Sequence, residues 1–236
     1  MGPFSTTANP DFAMFSADAR AVAKYDVGER QFWFLMIISS LYFSGLMHEV
    51  DYMCPFPGHN PAIPSPTNKS FDALMSTLGK CFNKTYLPDL IVRHVASAKS
   101  QPIRAADRTF RNHLNTLHLN SHPQIYGRKP RKGQIQLRDK NVLVVDDICT
   151  SGRSLDVARA YIEAAGGSAV LFAWLKTVRV GFAHMRQSPT LRPFVANQIA
   201  AEPSAVEYGY SSCIVSQDAP AEIGNTLTAY KQWKWP

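Results

Sequence analysis

A chain of 236 residues, 45% hydrophobic and 18% charged, with a formal net charge of +7, is ordinary for one globular domain with a substantial core. Its four cysteines, Cys54, Cys81, Cys149 and Cys213, are scattered and form no CxxC pair. That spacing excludes a zinc ribbon or a disulfide framework and predicts free thiols in a reducing cytoplasm. The first residues, MGPFSTTANPDF, lack the basic start and apolar core of a secretory signal, so a cytoplasmic location is expected.

Residues 1–19 are rich in Ser, Thr, Ala, Asn and Pro and are expected to form a flexible arm, with residues 20–236 as a single domain. The run Phe32 to Met47, FWFLMIISSLYFSGLM, is uncharged, but its 16 residues fall short of the roughly 20 needed to cross a bilayer. It reads as a buried helix packed on a sheet, with a partner-binding surface as its other use. Val50–Cys54 reads as a first core strand. The loop PFPGHNPAIPSPTN follows, where prolines and a glycine forbid regular structure. Phe71, Leu74, Met75, Leu78 and Phe82 recur at steps of three and four, which predicts a helix over Ser70–Phe82. Asp89–Val95 reads as a second strand and Asn115–Leu119 as a weaker third.

The stretch Asn141–Leu155, NVLVVDDICTSGRSL, carries most of the chemistry. Val142, Leu143, Val144 and Val145 form a continuous apolar run that suits a strand covered on both faces of a parallel sheet. Asp146 and Asp147 mark its carboxyl end. A loop of small and hydroxyl residues follows, and Leu155, Val157, Ala158, Tyr161 and Ile162 continue at helical spacing. Gly166 and Gly167 end that helix, and Ser168–Leu175 is another buried strand. The βα alternation implies an α/β fold, a mainly parallel central sheet flanked by helices, with the ligand site beyond the carboxyl ends of the strands.

Backbone amides in such a loop, with the positive end of a helix dipole behind them, favour a phosphate dianion, and Thr150, Ser151 and Ser154 add hydroxyl donors. Neither a Walker string nor GxGxxG is present. A carboxylate pair directly before an anion loop suits a ligand whose vicinal hydroxyls lie a few ångströms from its phosphate, as in a ribose 5-phosphate. The plainer use of the same residues is to end a strand and cap a helix.

VLVVDDICTSGRS resembles the signature with which type I phosphoribosyltransferases bind 5-phosphoribosyl pyrophosphate (PRPP). The resemblance implies a type I phosphoribosyltransferase-like fold and assigns ribose contacts to Asp146 and Asp147. It assigns the 5-phosphate to Ile148, Cys149, Thr150, Ser151, Gly152, Arg153 and Ser154. Within that loop Cys149 reads as a small filler rather than an activated thiol. The loop after the first core strand takes the pyrophosphate in that family, which points to Pro57, Gly58 and His59; a proline-rich turn with an incidental histidine is the alternative. Over residues 50–177 the order Val50–His59, Ser70–Phe82, Arg93, Gln101, Arg111 is also similar to ComF-like members, although their four-cysteine zinc module is missing here.

Between Arg93 and Lys140 lie 11 Lys or Arg and two acids. The resemblance places a loop there that closes over PRPP. Arg93 and Lys99, with Arg104, Arg108 and Arg111 behind them, would stabilise the leaving pyrophosphate. A solvated basic face is the competing reading, and Gly127–Gly133 (GRKPRKG) suits contact with nucleic-acid phosphates. A small hood that recognises the acceptor is expected from residues 20–49 and 178–236. There Tyr208, Tyr210, Trp233 and Trp235 read as a cap on the core before they read as base-stacking platforms.

The reaction implied is displacement at C1 of the ribose through an oxocarbenium-like state. Mg2+ would be held through substrate oxygens, with Asp146 and Asp147 as its protein contacts. The partners to be tested are PRPP, a nitrogenous acceptor, nucleic acid through residues 93–140, and a second copy of the chain as a homodimer. Two other classes share these residues: a non-catalytic regulator that senses PRPP, and a phosphoribosyltransferase-like effector or toxin of a retron-type bacterial defence complex.

Overall fold

The computed structural model describes residues 2–4, 21–22, 28, 30–62, 68–96, 109–126, 133–177, 180–209 and 218–234. Its centre is the strand β6 (Asn141–Cys149), whose four apolar residues Val142–Val145 are all buried. Such a run is stable only when both faces are covered and both edges paired. Accordingly β6 lies between β7 (Ser168–Thr177) and β2 (Tyr52–Pro55), both parallel to it. The sheet has five strands in the order β1-β7-β6-β2-β3, where β1 is Gly2–Phe4 and β3 is Thr85–Tyr86, and every pairing is parallel. Of the segment read as an arm, Gly2–Phe4 is thus an edge strand along β7; the rest of residues 1–19 lies outside the described residues.

One face of the sheet is covered by α1 (Arg30–Phe43) and α3 (Asn68–Cys81), through Phe32, Trp33, Ile37, Leu41, Met75 and Leu78 against Leu143, Val145 and Trp174. Ile223, Leu227 and Tyr230 of α6 (Ala219–Gln232) add to this side. The run read as a buried helix is therefore α1 with the short α2 (Leu46–Glu49). Among the described residues no helix is long and apolar enough to cross a membrane. The other face carries α5 (Arg153–Ala164), which buries Leu155, Val157, Ala158, Tyr161 and Ile162, and the short α4 (Phe110–Leu114). Three layers result, helices on both sides of a parallel sheet, as the βα alternation predicts.

Two expectations need correction. The segments read as second and third strands do form strands, β4 (Ile91–Arg93) and β5 (Leu117–Leu119), but they pair antiparallel with each other in a separate two-stranded sheet. Each is buried at alternate residues only, the mark of a ribbon with one covered face. The place beside β2 goes instead to the two-residue β3. Tyr208 and Trp233, expected to cap the core, are 52% and 64% exposed. Tyr208 belongs to an antiparallel hairpin of β8 (Phe182–Met185) and β9 (Ala205–Tyr208) that packs beside the carboxyl end of β7. That hairpin closes because residue 181 has no side chain: a Cβ on Gly181 would stand 1.9 Å from the Tyr208 carbonyl oxygen.

Candidate functional site

The strand β6 does not stop at the acid pair. Its ladder with β7 continues through Asp146↔Ala173, Ile148↔Leu175 and Cys149↔Lys176, so the loop proper shrinks to Thr150–Gly152. Both acids are half-buried, and each turns one oxygen back on the chain. Asp146 Oδ1 accepts from the Asp147 amide at 2.9 Å, and Asp147 Oδ1 from the Ile148 amide at 2.6 Å. These bonds occupy one of the several acceptor positions of a carboxylate. They also mark a slip in the strand. Val142, Val144 and Cys149 face the α5 layer while Leu143, Val145 and Ile148 face the α1 layer, so strict alternation breaks across the two acids.

The turn into α5 is made by Gly152 in the left-handed region (φ 80°), a conformation that costs any residue with a Cβ. Two carbonyls of the loop are fixed from behind. Lys176 Nζ donates to Thr150 O at 2.6 Å, and the Ala183 amide of β8 donates to Ser151 O at 2.8 Å. Because C=O and the following N–H oppose each other across a trans peptide, the Ser151 amide points to the other side of the loop. The Gly152 N–H lies toward the Cys149 sulfur. Burial pushes the Cys149 thiol up to about 11, outweighing the pull of Lys176. It is a protonated filler, as its size suggests.

Lys176 itself is buried. It also donates to Thr177 O at 2.9 Å and Val180 O at 2.6 Å and stands 4.6 Å from the Phe182 ring centre. The Arg153 side chain turns away from the loop, reaching Glu207 of β9 at 2.5 Å and lying 5.5 Å from the Phe110 ring. Its backbone remains in the first turn of α5, where amides lack acceptors within the helix. Ser154 stands in that turn as well.

The second corner follows β2. The Phe56 amide donates to Val145 O at 2.8 Å, which places Pro57, Gly58 and His59 beside the end of β6. Arg93, read as a cation on a mobile basic loop, is instead buried at the end of β4. Its Nε donates to Gly58 O at 2.7 Å and its guanidinium to Thr116 Oγ1 at 2.6 Å, with the Phe56 ring 5.7 Å away. Burial pushes the guanidinium down to about 10, and the Asp146 charge pulls it back up. Arg93 therefore supports the loop carbonyl from below within the field of Asp146. Lys99, Gln101, Arg104, Arg108, Tyr210, Cys213 and Trp235 lie outside the described residues.

One residue that sequence reasoning missed is His113 of α4. Its ring is 6.3 Å from Phe56, and its buried Nδ1 has no hydrogen-bond partner among the described residues. Burial, reinforced by the charges of Arg93 and Arg153, pushes it down to about 4. A neutral imidazole thus stands between the two corners. The only local signal was a capping threonine: Thr109 Oγ1 accepts from the Asn112 amide at 3.2 Å and starts α4.

Among the described residues no three His, Cys, Asp or Glu side chains gather as a metal cage. The donor set, two half-buried carboxylates next to a phosphate-sized loop, fits a magnesium ion that keeps most of its ligands from water and substrate phosphates. Of the described cations in the basic segment, Arg93 is buried, the Arg111 guanidinium donates to Ala200 O at 3.1 Å, Lys140 pairs with Asp51 at 3.1 Å, and Arg138 is exposed.

No family model matches the chain, and no curated protein does. Among solved structures it is similar to an adenine phosphoribosyltransferase, at 15% identity over 61% of this chain and 69% of that one, with a TM-score of 0.34. It is similar to a purine phosphoribosyltransferase from Pyrococcus horikoshii, at 12% identity over 62% of this chain and 84% of that one, TM-score 0.32. A hypoxanthine phosphoribosyltransferase from Staphylococcus aureus shares 10% identity over 61% of this chain and 73% of that one, TM-score 0.31. Likenesses of this size leave the chemistry to the geometry of the site.

Proposed function

We propose that the chain binds PRPP across the two corners and transfers its phosphoribosyl group to a nitrogenous acceptor, releasing pyrophosphate. The observation that carries this reading is the β6–α5 corner. Two carboxylates stand directly before a short loop whose Thr150 and Ser151 carbonyls are fastened away from its amide side. Such a loop is preorganised for a dianion, since its dipoles need no rearrangement when the anion arrives.

In this reading Asp146 and Asp147 accept from the ribose 2- and 3-hydroxyls, and the amides and hydroxyls of Thr150–Ser154 hold the 5-phosphate. Pro57–His59 receives the pyrophosphate, with Gly58 held in place by Arg93. Holding the sugar at one end and the leaving group at the other aligns C1 with its two partners and removes much of the entropic cost of the displacement. As the C1–O bond to pyrophosphate breaks, positive charge grows on the ring, and the Asp146 and Asp147 carboxylates stabilise it electrostatically. Mg2+ carried on PRPP, with Asp146 and Asp147 as its protein contacts, would neutralise charge on the leaving group.

The test is pyrophosphate release from PRPP with a panel of purine and pyrimidine bases. The expected result is base-dependent release that falls at least about a hundredfold in Asp146→Asn plus Asp147→Asn. A second reading, a PRPP-binding regulator without turnover, is favoured by one fact: Arg93, the described cation read as catalytic, is committed to Gly58 and Thr116. Saturable PRPP binding with no release for any base would select it.

A further inference from the structure

Behind the phosphate loop lies a half-open cavity of about 200 Å³, bounded by α5, β7 and the β8–β9 hairpin, with Leu171 and Tyr208 at its solvent side. Its walls include Cys149 and Gly152 from the rear of the loop, but neither Asp146, Asp147 nor Gly58. A ligand here is therefore separate from the sugar, the pyrophosphate and the acid pair. We propose that this cavity is a second ligand site, for a small neutral aromatic compound of one or two rings, and that its occupancy strengthens the anion loop.

Size, charge and shape each bound the ligand. An apolar cavity of about 150 Å³ accommodates benzene, so about 200 Å³ suits a ring somewhat larger. The walls are mainly apolar: Leu155, Leu171, Ala173, Phe182 and Ala183. Asp156 is the one carboxylate among them, and both its oxygens are engaged, Oδ1 by Arg159 Nε at 2.8 Å and Oδ2 by the Met185 amide at 2.7 Å. A charged ligand would give up part of its hydration with no counter-ion in return. On the same wall, the His184 and Tyr208 rings are stacked, with centroids 5.5 Å apart and planes 25° from parallel. The His184 Nε2 and Tyr208 Oη lie 3.0 Å apart. They offer a flat aromatic surface with a polar edge, which favours a planar ligand.

The coupling follows from what the cavity separates. The hairpin fixes the loop through Ala183 to Ser151, Arg153 to Glu207 and Met185 to Asp156, while the space between hairpin and loop is unfilled by side chains. A ring that fills it restricts Gly152 and the hairpin together. A loop already ordered loses less entropy when an anion binds, so the two ligands favour each other. This coupling, unlike the cavity itself, rests on the proposed phosphate site.

Indole is the probe. Titrated into the full chain, it is expected to move the His184 and Tyr208 ring resonances saturably. Leu171→Trp, which fills the cavity from β7, should abolish the response, and Tyr208→Ala, at an exposed position that folding tolerates, should weaken it by roughly fivefold. Ribose 5-phosphate affinity should rise by roughly fivefold at saturating indole. Indole binding should survive Asp146→Asn plus Asp147→Asn, so failure of the sugar-phosphate site and failure of the cavity are distinguishable. No saturable response, or one unaffected by both cavity variants, overturns the site; saturable binding with unchanged ribose 5-phosphate affinity overturns the coupling.

Discussion

In the corner after β6 two carbonyls are held, one by a side chain and one by a backbone amide, whereas in the corner after β2 the Gly58 carbonyl is held by one side chain from 35 residues further along. At the first, Lys176 and Ala183 grip carbonyls of Thr150 and Ser151, and Gly152 makes the turn. At the second, Arg93 grips Gly58, and no glycine conformation is demanded there: a Cβ on Gly58 would meet nothing within 4 Å. The first corner should therefore be sensitive to backbone changes and forgiving of most loop side chains. The second should depend on a residue far from it in sequence.

The largest test of that contrast is Arg93→Met. Two hydrogen bonds from a buried cation are lost, which costs on the order of 4 kcal/mol, read by urea unfolding. Pyrophosphate binding should weaken in parallel while ribose 5-phosphate binding stays within about twofold by calorimetry. Equal loss of both would show that the corners are not independently supported.

Next in size is the pH response of His113. Its folded value of about 4 lies below the ordinary 6.5 of an unfolded histidine. Between these values the unfolded chain takes up a proton that the folded chain refuses, so stability is full above about pH 6.5 and falls as pH drops toward 4. The loss amounts to at most about 3 kcal/mol. His113→Gln should flatten the urea-midpoint profile across that window; a wild-type profile already flat from pH 7 to 4.5 would contradict the burial of a neutral ring.

Gly152→Ala should cost about 1–2 kcal/mol, because its φ of 80° is strained for any residue with a Cβ. Phosphate affinity should fall with it. Smallest is Arg153→Gln. The Arg153–Glu207 pair has a largely exposed partner, so the free energy of unfolding should change by less than about 0.5 kcal/mol. A large loss of stability there would show that the hairpin carries more of the corner than its backbone contacts do.

What was legible in the sequence was local. Val142–Val145 announced a central strand because four consecutive buried positions suit little else, and Leu155 to Ile162 announced α5 by its spacing. Gly152, the acid pair and the hydroxyl residues could be placed by counting from there. What was not legible depends on residues distant in the chain. Nothing near Lys176 says that its ammonium ends on Thr150, and nothing near Arg93 says that it is buried. The sequence marks β4 and β5 as strands but not the sheet they join, since three residues of alternating burial fit an edge of the main sheet as well as a separate ribbon. The two-residue β3 has no period to read.

The central claim is that a sugar phosphate is gripped where β6 passes into α5, and amide resonances report it most directly. Titration with ribose 5-phosphate should shift the backbone amides of Ser151–Ser154 saturably, and the affinity should fall at least tenfold in Asp146→Asn plus Asp147→Asn. Amides at that corner that stay still while the ligand binds elsewhere, or affinity indifferent to both acids, would contradict the account.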